Sequence, residues 1–152
     1  MRYFIDTNLI IDYCADETKK NISENRRQQI LEAKNLLNPI LADDDSLIFI
    51  NRLVYLETLR TIRLTDKNIF RQTEQILNLF EILDVNQTIY EQAVSFSRFC
   101  KSKHISLKGK CEAIDFLHFL TTKYYELELL TCDRDMAKLE TVYPDWLESE
   151  TV

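Results

Sequence analysis

Glycine and proline are scarce in this chain, whose 152 residues include one glycine and two prolines. Both residue types form the tight turns of folds built from many short strands. Their scarcity excludes an all-β sandwich and favours a fold dominated by helices. The four cysteines include no Cys-x-x-Cys pair, so they match no zinc pattern and are interpreted as reduced thiols.

Basic charge and long apolar runs are also lacking. Lys and Arg number 19 against 25 Asp and Glu, which gives a formal net charge of −6. This balance excludes a generally basic protein that coats nucleic acid, although it allows a local basic groove. Charges interrupt every apolar stretch well before the ~18 residues that a membrane helix needs, and Asp6 comes too early for a signal peptide. We therefore expect a soluble, cytoplasmic protein with no membrane association.

The length of the chain is typical of one compact domain, and its composition, 45% hydrophobic and 29% charged, is that of an ordinary globular protein. We expect a single domain over residues 1–146. Residues 147–152, which follow Trp146, are expected to form a flexible tail.

Short β-prone runs alternate with helical patterns along the chain. The predicted strands are Arg2–Ile5, Leu47–Ile50, Glu81–Val85 and Leu127–Thr131. Apolar residues at helical spacing predict helices over Ile30–Leu41, Leu53–Ile62, Lys67–Phe80 with Asp66 as its cap, Thr88–Lys103 and Cys111–Tyr125. Strands that alternate with helices predict a helix-rich α/β fold with a central parallel sheet.

Two acids of the first half stand out by their surroundings. Asp6 follows the apolar run of the first strand, and in an open α/β sheet the ligands lie outside the carboxyl ends of the strands. The alternative is that Asp6 only caps the next helix. Glu57 interrupts the apolar stretch LVYLETL, where a carboxylate needs a cation to offset its burial. An ion pair with Arg60 is the alternative for Glu57.

Two further acids lie in the second half. Asp115 falls outside the predicted apolar stripe of its helix, which comprises Ala113, Phe116, Leu117, Leu120 and Tyr124. The alternative is that Asp115 only interacts with the helix dipole in a first turn. Asp133 lies just beyond the last strand, in a place equivalent to that of Asp6, and helix capping is again the alternative.

A parallel sheet could bring these four acids together at one edge. Their mutual repulsion would then require a cation, and Mg²⁺ or Mn²⁺ is the ion that hard oxygen ligands favour. Carboxylates without a Ser–His or Cys–His pair suit metal-assisted hydrolysis of a phosphodiester, since the ion activates water and offsets charge on the phosphate.

Four segments carry a resemblance to a known family. They are FIDTNLIIDY, LETL, EAIDFLHFL and LLTCDRDM, and in order and spacing they resemble a PIN-domain endoribonuclease of the VapC toxin type over roughly the whole chain. The resemblance implies a three-layer α/β/α fold with a central parallel sheet and a metal-dependent ribonuclease activity on RNA. It also implies a homodimer and inhibition by a small cognate antitoxin protein.

The resemblance also implies roles for particular residues. By position, Asp6, Glu57, Asp115 and Asp133 would bind Mg²⁺, with Mn²⁺ as the alternative ion, and Asn8 would orient the acids. The last motif departs from the family, which often has Asp-Phe where this chain has Asp135–Met136. Asp135 is therefore the alternative fourth acid, although Asp133 is favoured because it lies where the chain turns from strand to helix.

An RNA substrate also needs basic residues near the acids. The candidates are Lys101, Lys103, Lys108 and Lys110 before Asp115, and Arg52, Arg60 and Arg63 around Glu57. Solvated side chains without a ligand are the alternative. Two rival functions are a phosphohydrolase of the haloacid dehalogenase type, which Asn8 in place of a second Asp disfavours, and a non-catalytic α/β binding domain, which leaves Glu57 unexplained.

Overall fold

The computed structural model describes residues 1–108 and 112–151. Its strands are β1 (Arg2–Ile5), β2 (Leu47–Asn51), β3 (Glu81–Leu83) and β4 (Glu128–Leu130). Its helices are α1 (Thr7–Cys14), α2 (Glu24–Leu41), α3 (Arg52–Arg60), α4 (Lys67–Leu77), α5 (Gln87–Ser102), α6 (Glu112–Tyr124) and α7 (Arg134–Glu150). The chain divides into two compact units: Met1–Asp84 with Glu128–Cys132, and Val85–Leu127 with Asp133–Val152.

The first unit contains a four-stranded sheet in the order β3-β2-β1-β4. All three strand pairings are parallel; Ile5 lies opposite Leu130, and Asn51 lies opposite Leu83. The carboxyl ends of the strands therefore share one edge of the sheet, which we call the carboxyl edge. This arrangement confirms the predicted helix-rich α/β fold with a central parallel sheet.

Apolar side chains on both faces of the sheet form the core of the first unit. Phe4, Ile5 and Ile50 are fully buried or nearly so in the two central strands, as expected for a parallel sheet. Helix α3 begins directly after β2, because the side chain of Asn51 accepts a hydrogen bond from the backbone N–H of Val54 at 2.9 Å.

The second unit consists of α5, α6 and α7 packed around aromatic side chains. Phe96 lies at the centre, with its ring centroid 5.2 to 5.9 Å from four other aromatic rings. These rings belong to Phe116, Phe119, Tyr143 and Trp146. Offset and edge-to-face aromatic packing at such distances is favourable beyond the area that it buries.

The strand and helix predictions differ from the structure mainly at the ends of elements. The third and fourth strands are shorter than predicted, and α4 ends at Leu77 rather than Phe80. Asp66 does precede α4, but its side chain makes no capping hydrogen bond. Cys111, the predicted start of the sixth helix, lies outside the described residues.

Two predictions of burial are wrong. Ala113 and Tyr124 of α6 are exposed, while His118, Thr121 and Thr122 are buried instead. Helix α6 is thus covered on most sides along Phe116–Thr122, so a single apolar stripe underestimates its buried surface.

The carboxyl-terminal residues continue a helix. Residues 147–150 belong to α7, and Trp146 before them is 3% exposed. The single domain over residues 1–146 and the flexibility of residues 147–152 both stay predictions. Across the two described ranges, no helix combines the length and the apolar character needed to cross a bilayer.

Candidate active site

Asp6 is the first residue after β1 and is 5% exposed. Its backbone N–H donates to the carbonyl of Leu130 at 3.0 Å, which extends the pairing of β1 with β4 by one residue. The hydroxyl of Thr131 donates to Oδ2 of Asp6 at 3.0 Å. Asp6 occupies the N-cap position of α1, yet its side chain makes no capping hydrogen bond, so helix capping does not explain this buried acid.

Glu57 lies on α3 and is half-buried. Its Oε1 accepts a hydrogen bond of 3.0 Å from the hydroxyl of Thr7, the residue that follows Asp6. Helix α3 starts at the carboxyl edge, one strand away from β1, and this start brings Glu57 to the Asp-Thr segment. Within the first unit, the structure therefore joins two of the four predicted acids through Thr7. The ion pair with Arg60, the alternative for Glu57, stays a prediction.

Two threonines of this site were missed by the reasoning from sequence. Thr7 and Thr131 each donate to one of the acids. The resemblance had assigned the orienting role to Asn8, which is exposed. The available signal was position, because both threonines follow a strand of the central sheet within two residues.

Asp115 belongs to the second unit and lies in the first turn of α6. It is half-buried and precedes the buried segment Phe116–Thr122. A carboxylate in a first turn interacts favourably with the helix dipole, so this alternative stays open beside metal binding.

Asp133 and Asp135 also belong to the second unit, and each has a structural contact. Asp133 is the N-cap of α7, and its Oδ1 accepts the backbone N–H of Asp135 at 2.8 Å. Asp135 forms an ion pair with Lys138 at 2.9 Å and accepts the backbone N–H of Lys108 at 3.1 Å. The hydrogen bond with Lys138 first, and then the one from Lys108, lowers the pKa of Asp135. Capping by Asp133 is therefore present, and its metal role stays a prediction.

Acidic side chains act on the thiol of Cys132, just past the carboxyl end of β4. The pKa of the Cys132 thiol, directly after Thr131, is raised first by partial burial and then by the charges of Glu32, Asp12 and Asp6. Negative charge raises a thiol pKa because it disfavours the thiolate. Asp12 is in turn paired with Arg26. Glu32, Asp12 and Asp6 thus all act on this one thiol near the carboxyl edge.

The donor set fits Mg²⁺ in chemical type. Among residues 1–108 and 112–151, no group of three or more His, Cys, Asp and Glu side chains is arranged to hold a metal ion. Mg²⁺, however, usually binds through one or two carboxylates and completes its shell with waters and substrate phosphates. The pair Asp6 and Glu57 meets this requirement within the first unit.

Exposed cations accompany the acids in both units. Arg52 and Arg60 lie on α3 with Glu57, and Arg63 follows that helix. In the second unit, the exposed side chains of Lys101, Lys103 and Lys108 precede α6, whereas Lys110 lies outside the described residues. Solvent exposure agrees with the predicted basic margin and equally with its solvated alternative.

The first unit also contains a groove of about 1020 Å³. It is lined by residues of α1 to α4 and of the loops that connect α1 with α2 and α3 with α4. Its apolar walls include six isoleucines: Ile11, Ile22, Ile30, Ile62, Ile69 and Ile76. Charged side chains of both signs also line it, namely Lys19, Arg26, Lys34, Arg63, Asp16 and Asp66. The isoleucine walls suit a partner with apolar side chains.

Comparisons with known proteins agree with this architecture. A chain in the crystal structure of VapBC2 from Rickettsia felis, bound to a DNA fragment from its promoter, superposes with a TM-score of 0.64 at 14% identity, over 91% of this chain and 93% of that one. A toxin-antitoxin complex from Klebsiella pneumoniae gives a TM-score of 0.58 at 22% identity, over 89% of this chain and 90% of that one. At these identities the similarity concerns the fold.

No curated protein matches the sequence. The family model of the PIN domain matches residues 3–142, which is nearly the whole chain and includes all four predicted acids. The chain therefore belongs to the PIN-domain family, and this membership supports a nuclease role.

Proposed function

We propose that this protein is a metal-dependent endoribonuclease and the toxin of a toxin–antitoxin pair. The observation that carries the proposal is the link of Asp6 and Glu57 through Thr7 at the carboxyl edge, in a chain of the PIN-domain family. Capping does not explain Asp6, and a non-catalytic binding domain gives no reason for a buried Asp6 that is followed directly by a threonine bonded to Glu57.

Asp6 and Glu57 would hold Mg²⁺ from the first unit, and Asp115 and Asp133 are the proposed further ligands. When bound, the ion would supply an activated water and offset the charge that develops on the phosphate. The chain's own contribution is the orientation of the carboxylates. Mn²⁺ is the alternative ion, since it accepts the same oxygen ligands.

RNA is the proposed substrate. The exposed Arg52 and Arg60 flank Glu57 on α3, and phosphate contacts of this kind position a nucleic acid without reading its bases. Because the net charge is −6, binding depends on such local cations, so RNA affinity should fall steeply with salt.

Cleavage of a mixed RNA pool in Mn²⁺ tests the proposed activity, with a chelated sample and double-stranded DNA as comparisons. Asp6→Asn and Glu57→Gln keep side-chain shape and should remove cleavage, while stability without metal stays level or rises because repulsion is relieved. Asp45→Asn is the matched control, since Asp45 is exposed before the start of β2. Cleavage by Asp6→Asn at the wild-type rate, or metal-independent cleavage, contradicts the proposal.

The antitoxin is the proposed occupant of the groove between α1 and α4. One of the similar structures is a toxin–antitoxin complex, and the isoleucine walls of the groove suit an apolar segment of a partner. We expect a small protein encoded beside this chain to bind here. Ile62→Glu should release it, whereas Val94→Glu, at a side chain 59% exposed and outside the groove lining, should not.

A toxin role predicts that expression of the chain alone slows growth and that the adjacent small protein restores it. Harmless expression of active protein contradicts that role.

A homodimer and a cytoplasmic location are further parts of the proposal. Leu64 and Leu79 are exposed apolar candidates for a two-fold contact, while Ile69 lines the groove. Light scattering that finds an active monomer at micromolar concentration contradicts the dimer.

A further inference from the structure

Two threonine hydroxyls donate to acids that are far away in sequence. Thr7 donates to Glu57, which is 50 residues away in sequence, and Thr131 donates to Asp6, which is 125 residues away. Other threonine hydroxyls donate to main-chain carbonyls three or four residues earlier, namely those of Thr58, Thr61, Thr121, Thr122 and Thr141. That local bond is the usual outcome for threonine in a helix.

The positions of these two threonines are determined by the sheet. The backbone bond from Asp6 to Leu130 sets β1 against β4, so Thr131 lies beside the carboxylate of Asp6. Thr7 follows Asp6 directly and is 7% exposed, and its β-branched side chain has few rotamers available. The segment Asp6–Thr7 therefore contains one acid and contacts the other, Glu57.

We propose that Thr7 and Thr131 are positioning residues for the metal site, and that their hydroxyls set the rotation of the carboxylates of Glu57 and Asp6. This inference rests on the proposed metal-dependent function. Hydroxyl donors fit the task because they bond a carboxylate without neutralising it, so the acids keep the charge that attracts the ion. A lysine or arginine at either position would instead compete with the metal.

The test compares threonine, valine and serine at each position. Thr7→Val and Thr131→Val remove the hydroxyl and keep the branched shape, whereas Thr7→Ser and Thr131→Ser keep the hydroxyl. Thr121→Val is the matched control, because Thr121 is buried and its hydroxyl bonds only a carbonyl in the described structure. The readouts are the dissociation constant of Mn²⁺ alone by calorimetry, and the melting temperature without metal.

We expect both valine variants to weaken Mn²⁺ binding by about 10–100-fold, as changes behind metal ligands commonly do. The serine variants and Thr121→Val should keep the wild-type affinity. A purely structural role predicts a lower melting temperature with unchanged Mn²⁺ affinity, and that result overturns the inference. Thr131 is half-buried, so its variant remains informative if Thr7→Val fails to fold.

The outcomes separate this inference from the proposed function. A wild-type protein that binds Mn²⁺ but cleaves no RNA contradicts the nuclease, and loss of affinity in the valine variants still supports positioning. Wild-type cleavage together with unchanged affinity in both valine variants overturns positioning alone. A wild-type protein with no affinity for Mn²⁺ overturns both.

Discussion

Replacement of Phe96 by alanine tests the packing of the second unit. Phe96 is 0% exposed, and its ring centroid lies 5.2 Å from that of Trp146 and 5.5 Å from that of Phe119. The remaining two ring contacts are at 5.7 and 5.9 Å. Removal of this one ring therefore takes a contact away from every other member of the aromatic cluster.

The expected loss of stability is about 4–5 kcal/mol, near the upper end of the range for buried Phe→Ala changes, because four aromatic contacts are lost together. A domain of this size shifts its melting temperature by about 2–4 °C per kcal/mol, which gives a decrease of about 8–20 °C. Typical domains have ~5–15 kcal/mol of stability, so we expect the variant to remain folded at low temperature.

Trp146 provides the assay because it is the only tryptophan of the chain. It is buried, and its indole N–H donates to the hydroxyl of Ser95 at 3.1 Å, so unfolding of the second unit should change its fluorescence. Phe99→Ala on the same helix is the matched control, since Phe99 is half-buried with Lys103 over its ring. A Phe96→Ala shift no larger than that of Phe99→Ala refutes the packing argument.

The same experiment tests the predicted single domain. Far-ultraviolet circular dichroism follows all helices, whereas Trp146 fluorescence follows the second unit alone. Coincident transitions that shift together in Phe96→Ala support one cooperative domain. Separate transitions contradict the prediction of a single domain over residues 1–146.

Four further predictions concern single side chains. Asp133→Asn should weaken Mn²⁺ affinity while it keeps the helix cap, since Asn caps as well as Asp. Asp135→Asn should leave Mn²⁺ affinity nearly unchanged. A larger loss of affinity at Asp135 than at Asp133 in a metal titration makes Asp135 the fourth acid. The lowered pKa of Asp135 adds stability that is present above about pH 4 and is lost as the pH falls through the folded-state pKa, so urea midpoints of wild type and Asp135→Asn should converge in acid. The exposed Cys132 should react with iodoacetamide before Cys100, which is buried with a pKa raised to about 11, and peptide mass mapping that finds the reverse order contradicts the burial of Cys100. Glu126 has a φ of 55°, in the left-handed region. Glu126→Gly should raise the free energy of unfolding by about 0.5–1 kcal/mol, because the relief of left-handed strain exceeds the extra unfolded-state entropy of glycine. A lower melting temperature of the variant contradicts this.

The sequence by itself determined the class of fold and the order of its elements. All four predicted strands are present and the first is matched to the residue, because apolar runs and helical spacing are local patterns that burial on a sheet or a helix face imposes. It also identified Asp6 as an unusual acid, since the end of a strand is visible in the sequence. Scarce glycine and proline correctly indicated a helix-rich chain.

Tertiary structure decided which of these local signals act together. The contacts Thr7–Glu57 and Thr131–Asp6 span 50 and 125 residues, and no periodicity in the sequence encodes such a distance. The burial predicted for Ala113 and Tyr124 is wrong for the same reason, because the number of faces that a helix buries depends on what packs around it. Local pattern thus predicts where an acid can lie, while only the register of paired strands determines which hydroxyl orients it.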